Sequence, residues 1–193
     1  AKPERLTASH QYHIDIKANW KNSVENYCEC YHCPNQHPTL SQNALDMDSY
    51  RIETCDNYHV HRSSDKNVGY SFDEKDKKPN DFRSFYIWPN TVLETYPGGH
   101  LTVFHHVPIS PEETRQSFEY YFDPSISEED QQKIVDFVHV IRLEDIPICE
   151  SVQKGLHSRG YNKGRLVIDA QRSYFSEHSV YDFQKKVLAA LAA

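Results

Sequence analysis

Four stretches in the middle of the chain, residues 82–88, 91–96, 101–107 and 116–122, concentrate aromatic and β-branched residues into runs of strand length. Pro89-Asn90 and Pro97-Gly98-Gly99 punctuate them as turns. Strands so close in sequence pair as antiparallel neighbours, because a parallel partner needs a long crossover. An antiparallel meander is therefore expected, and the rest of the chain must pack around it.

Helical patterns flank this region. A short strand over 13–16 leads to Asn19, a residue suited to capping a helix start. Trp20, Val24, Tyr27 and Tyr31 then recur at helical spacing, so a helix is expected from 20 to about 32, ended by Pro34. Tyr58-His59-Val60-His61 alternates like a strand, and 73–81 is a charged loop. Ser127 and Asp130 open a helix whose apolar stripe is Ile134, Phe137, Val138 and Ile141. A separate helix over about 145–157, with Pro147 in its first turn, and a last one over 180–191 complete the pattern. Strands in the middle and helices at the ends define one α+β domain over 1–193.

Composition excludes several functions. A net charge of -7 with no basic stripe argues against nucleic acid and against an anionic membrane surface. No apolar run approaches bilayer-spanning length, and the N-terminus carries no leader-like apolar stretch. The cysteines number 5, and Cys28, Cys30 and Cys33 crowd together, unlike a secreted disulfide framework, so a reducing, cytoplasmic setting is expected. The 12 histidines and 13 tyrosines exceed what a core requires and point to chemistry.

The informative segment is Glu25-Asn26-Tyr27-Cys28-Glu29-Cys30-Tyr31-His32-Cys33-Pro34-Asn35-Gln36-His37. On one unbroken helix His32 and His37 would point about 140° apart and could not share an ion. A break at Pro34 removes that objection. Two imidazoles and one carboxylate, with positions left open, form the non-haem iron(II) donor set. Asp145, within Leu143-Glu144-Asp145-Ile146-Pro147, is the candidate third donor, with Glu144 its competitor. A zinc site is an alternative, although Cys30-x-His32 and Cys33-x3-His37 match no common zinc spacing. Two surface histidines beside a chance proline is another. His59, His61, His105 and His106 read as strand histidines, either hydrogen-bonded or facing solvent.

The run Asn19-Trp20-Lys21, followed by Glu25-Asn26-x-x-Glu29-Cys30-Tyr31-His32-Cys33-Pro34-x-x-His37-Pro38, resembles the catalytic domain of Rieske non-haem iron oxygenases. The segment from Glu144 to Leu156 is similar to that family's second signature, and Ser176-Glu177-His178 also looks familial. The resemblance implies a helix-grip fold, a curved antiparallel sheet over a long C-terminal helix. It implies mononuclear iron(II) on His32, His37 and Asp145, favouring Asp145 over Glu144, with O2 as co-substrate. Glu29 would link this iron to the cluster of a neighbouring subunit through hydrogen bonds to histidines.

Ring-dihydroxylating members usually carry Gly-Asp where this chain has Cys28-Glu29. The Glu-Cys-Tyr-His-Cys-Pro version looks most like oxygenases of carnitine, glycine betaine, choline or stachydrine, which attack a C–H bond beside a quaternary nitrogen. An aromatic-ring substrate is the runner-up, and a metal-free ligand-binding module is the alternative of another class. A quaternary ammonium offers no donor and is best held by aromatic faces. Tyr27, Trp88, Tyr96 and Phe104 are candidates for that wall. A Rieske [2Fe-2S] cluster needs Cys-x-His and Cys-x-x-His, and no Cys-x-x-His occurs in the chain. The resemblance therefore implies a catalytic part whose Rieske domain lies in cis or on a neighbouring subunit, an NAD(P)H-dependent reductase as partner, and a homotrimer at full length.

Overall fold

The computed structural model describes residues 3–64, 82–96 and 99–192. Its centre is a 7-stranded antiparallel sheet: β1 (Thr7–Ile16), β2 (Arg51–Thr54), β3 (Tyr58–Ser63), β4 (Phe82–Ile87), β5 (Thr91–Thr95), β6 (His100–Ser110) and β7 (Glu113–Phe122). The order across the sheet is β1-β7-β6-β5-β4-β3-β2. The expected meander is present as β4 to β7, with Phe104 opposite Phe118 and Phe85 opposite Leu93. The chain's first strand closes the far edge beside its last one, pairing Tyr12 with Phe118. The charged stretch 73–81 and the turn residues Pro97 and Gly98 lie outside the described residues. Gly99 has a positive φ of 76°, a left-handed conformation that glycine adopts at no steric cost.

Burial alternates along each strand, as a sheet with one covered face demands. The covered face carries Phe104, Phe118, Tyr120 and Phe122, and also His59, His61, Ser84, Glu94, His100 and His106. So many polar groups on a core face mark the interior as a site and not merely as packing. None of His59, His61 and His106 faces solvent, contrary to one of the expectations for the paired histidines.

Helix α1 (Trp20–Tyr27) begins where Asn19 accepts the backbone N–H of Lys21 at 3.0 Å. It ends earlier than its apolar spacing suggests. Cys28 is its C-cap, and the Cys28 carbonyl accepts the Ser179 hydroxyl. Pro34 does not terminate this helix. It sits in the first turn of a new short helix, α2 (Cys33–Gln36), where a missing N–H costs nothing. A π-helical turn, Leu40–Ala44, follows.

The two helices expected around Pro147 are one, α3 (Glu128–Leu156), 29 residues long and capped by the Ser127 hydroxyl. The carbonyl that Pro147 cannot satisfy belongs to Leu143, which is exposed, so the interior proline is tolerated. α3 lies on the covered face: Arg142 stands over the Phe104 ring, and Phe137 packs edge-on against Tyr96. The longest helix is thus α3, while the C-terminal α4 (His178–Ala192) has 15 residues. Between them Val167 and Glu177 close residues 167–177 into a loop through paired backbone and side-chain hydrogen bonds. His178 then fixes the start of α4 to the Ile52 carbonyl of β2. Among the described residues, no helix is long and apolar enough to cross a membrane.

Phe183 anchors α4, fully buried with Trp20, Tyr86 and Trp88 around its ring. Phe183→Ala is expected to lower stability by about 3–5 kcal/mol, read from the urea unfolding midpoint.

Candidate metal centre

The turn between α1 and α2 builds half of the site. Glu29 lies outside both helices, and its carboxylate accepts the backbone N–H groups of Tyr31 and His32. That folds the chain back, so that His32 is the N-cap of α2 and His37 its C-cap. Two residues facing apart on one helix are brought together by placing them at opposite ends of a single turn. Cys30 and Cys33, which flank His32, are joined by a disulfide; Cys28, Cys55 and Cys149 are free. The crowded cysteines thus hold one local bridge, which their spacing did not announce.

The other half comes from α3. Asp145 Oδ1 lies 3.0 Å from His37 Nε2 and 3.6 Å from His32 Nε2, and the two Nε2 atoms are 3.2 Å apart. Asn26 donates its amide to the same Oδ1 at 2.9 Å. Among the described residues this is the one cluster of three histidine, cysteine or carboxylate side chains that could hold a metal ion.

The hydrogen bonds on the far sides of the rings fix which atoms are offered. His32 Nδ1 meets Glu29 Oε1 at 2.5 Å, and His37 Nδ1 meets Glu144 Oε2 at 2.8 Å. With the Nδ1 protons donated to carboxylates, both Nε2 atoms and Asp145 Oδ1 face one another. Three electron-rich atoms this close require positive charge between them. Burial acts to lower the His32 pKa, but hydrogen bonds to Asp145 and Glu29 raise it to about 10. Burial acts to raise Asp145, yet the bonds to His32 and His37 hold it well below the ordinary carboxylate range. The donors therefore fit a divalent cation. Adjacent ligands about 2.1 Å from a metal at right angles lie about 3 Å apart, close to the separations present here. Glu144, the competitor for the third donor position, instead orients His37, a role not foreseen for it in the sequence.

A cavity of about 50 Å³ adjoins these residues. Its wall includes Tyr27, Tyr50, Phe82 and Tyr96, along with His61, Glu94 and Arg142. Of the aromatic residues proposed from the sequence, Tyr27 and Tyr96 line it. Trp88 instead packs on Phe183, and Phe104 lies behind the wall, stacked on Phe118 beneath Arg142. Glu94 and Arg142 form a buried ion pair, and the Tyr27 hydroxyl lies 3.4 Å from Glu94. Neither charge was singled out in the sequence. A lone Glu in a strand and a lone Arg in a helix become informative only when both prove buried and facing each other.

A covered antiparallel sheet thus carries, at its helix layer, a His-His-Asp donor set that could hold one metal ion. The chain belongs to the ring hydroxylating alpha subunit (catalytic domain) family, which it matches over residues 3–193. It is 36% identical over 189 residues to the carnitine monooxygenase oxygenase subunit of Acinetobacter baumannii, covering 94% of this chain and 50% of the relative. It is 30% identical over 169 residues to the chloroplastic choline monooxygenase of Atriplex hortensis, covering 84% and 36%. A solved quaternary ammonium Rieske monooxygenase, described in connection with carnitine oxidation by gut microbiota, superposes with a TM-score of 0.85 at 34% identity. That match covers 95% of this chain and 50% of the solved one. The chain therefore spans about half the length of the carnitine monooxygenase subunit, and less of the choline enzyme.

Because Glu144 orients one imidazole and Glu29 the other, Glu144→Ala or Glu29→Ala is expected to weaken divalent metal binding about 10–100-fold, measured by competition with a chelating dye. The buried pair makes a second prediction. Glu94→Ala, which leaves Arg142 without its partner, should destabilise the fold by about 3–5 kcal/mol in chemical denaturation.

Proposed function

We propose that this chain is the catalytic domain of a Rieske-type oxygenase that hydroxylates a carbon beside a quaternary ammonium nitrogen. The observation that carries this reading is the meeting of His32, His37 and Asp145 at the edge of an aromatic-walled cavity. His32 Nε2, His37 Nε2 and Asp145 Oδ1 would hold iron(II), and iron in that donor set supplies activation of O2 when electrons reach it. The chain's own residues do the rest. Glu29 and Glu144 keep each Nδ1 protonated and each Nε2 turned inward. Asn26 holds Asp145 in place through its amide.

Glu29 has a second task in this reading. A carboxylate can accept from two N–H donors, so Glu29 can bond His32 on one side and a histidine of a neighbouring cluster on the other. The Rieske [2Fe-2S] domain, in cis or on a neighbouring subunit, and an NAD(P)H-dependent reductase would deliver electrons, with the full-length protein a homotrimer. The monooxygenase activity of the relatives and their greater length support this assignment.

For the substrate, the tyrosines carry the argument. A methylated ammonium cation has no hydrogen to donate and is attracted to ring faces. Tyr27, Tyr50, Phe82 and Tyr96 supply such faces. A flat hydrocarbon ring would leave the buried Glu94–Arg142 pair in that wall without a polar partner, which weighs against the aromatic-substrate reading. A metal-free ligand carrier has no use for two imidazoles and a carboxylate with their lone pairs converging.

Metal analysis tests the reading. Anaerobically purified chain should hold or take up about one iron(II), and His37→Ala should abolish that uptake while leaving the circular dichroism spectrum unchanged. Protein that neither contains nor loads iron(II) would sink the assignment.

A further inference from the structure

His61 is placed on β3 with its side chain on the covered face, 2% exposed, in the wall of the cavity. Its Nδ1 meets the Tyr50 hydroxyl at 2.8 Å. Its Nε2 has no hydrogen-bond partner among the described residues. Buried polar atoms are rarely left so, and one in a ligand cavity has a ready reason.

The proton positions follow from counting donors. Burial pushes His61 down to about 3, so the ring is neutral and carries one N–H. Burial raises Tyr50 well above its ordinary value, so the hydroxyl keeps its proton. If Nδ1 carried the ring proton, Tyr50 would accept it, and both the Tyr50 hydroxyl proton and Nε2 would go unused. If Tyr50 donates to Nδ1, only the Nε2–H is left over. The second arrangement leaves fewer buried groups unpaired, and it presents an N–H to the cavity.

Around that donor stand groups suited to a zwitterion. The Tyr27 ring lies 5.6 Å from the His61 ring and 5.9 Å from the Arg142 guanidinium. Arg142 Nε is likewise buried without a partner, although its Nη2 is committed to Glu94. A quaternary nitrogen offers a site nothing to hydrogen-bond. What a site can read is an oxygen elsewhere on the molecule.

We propose that His61, held by Tyr50, is a specificity-determining residue whose Nε2–H binds an acceptor oxygen of the substrate, so that the site selects quaternary ammonium compounds bearing a carboxylate. This rests on the quaternary-ammonium reading above and sharpens it from a cation to a betaine. A hydrogen bond to a charged acceptor corresponds to a preference of about tenfold or more.

The test is calorimetric titration of the iron(II)-loaded chain with glycine betaine and with tetramethylammonium, which lacks the carboxylate. Glycine betaine should bind about tenfold or more tightly. His61→Phe should bring it down to the tetramethylammonium level while leaving tetramethylammonium binding unchanged. Tyr50→Phe removes one oxygen atom and the lock on the tautomer, and should reduce the preference with little effect on folding. A long-range proton–nitrogen spectrum of the wild-type chain should show His61 protonated at Nε2. A proton on Nδ1, or an undiminished preference in folded His61→Phe or Tyr50→Phe, overturns the proposal. Equal wild-type binding of the two probes overturns it while sparing the quaternary-ammonium reading. Binding of neither probe overturns both.

Discussion

The contact on which this structure depends is the one between Asp145 Oδ1 and the Nε2 atoms of His32 and His37. A buried carboxylate needs a cation or several donors to be stable away from water. Asp145 has Asn26 and two imidazoles, drawn from α1, from both ends of α2, and from the middle of α3. Removing any of these elements leaves the others with unpaired polar groups in a low-dielectric interior. The donor set therefore acts as a joint between the helices as well as a place for chemistry.

The rings are themselves held from behind. Glu29 and Glu144 take the Nδ1 protons, and each of those carboxylates arises from the same local turn as a ligand. Glu29 is three residues from His32, the ligand it supports, whereas Glu144 is adjacent to Asp145 but supports His37 across the site. The interior around them is polar to an unusual degree, with Glu94, His61 and His106 buried on one face of the sheet and Arg142 of α3 buried over it. Replacing such groups by apolar ones of similar volume is often neutral or stabilising. Their presence fits a cavity that must recognise a charged molecule better than a core that must only exclude water.

The local and periodic parts of the fold were legible in the sequence. Runs rich in aromatic and β-branched residues located β4 to β7, Asn19 and Ser127 were identifiable as caps, and the His32–Pro34–His37 spacing drew attention to two residues that the fold brings together. Proline was harder to read. Pro34 starts a helical turn and Pro147 sits inside a helix, because a proline's effect depends on whether its missing hydrogen bond falls where none was needed or where the orphaned carbonyl belongs to an exposed residue. The pairing of β1 with β7 was also hidden, since the two strands are about a hundred residues apart and nothing local distinguishes one edge partner from another.

By itself, then, the sequence determined the class of domain, the meander, and the residues that could donate to a metal, because each of these rests on short-range spacing and side-chain chemistry. The tertiary structure alone decided that Glu144 supports a ligand and Asp145 faces it, that Glu94 meets Arg142, and that His61 keeps an unpaired nitrogen in a cavity wall. Those outcomes depend on which way a side chain turns once strands and helices from distant parts of the chain close around it, and on the cost of leaving any polar atom there without a partner.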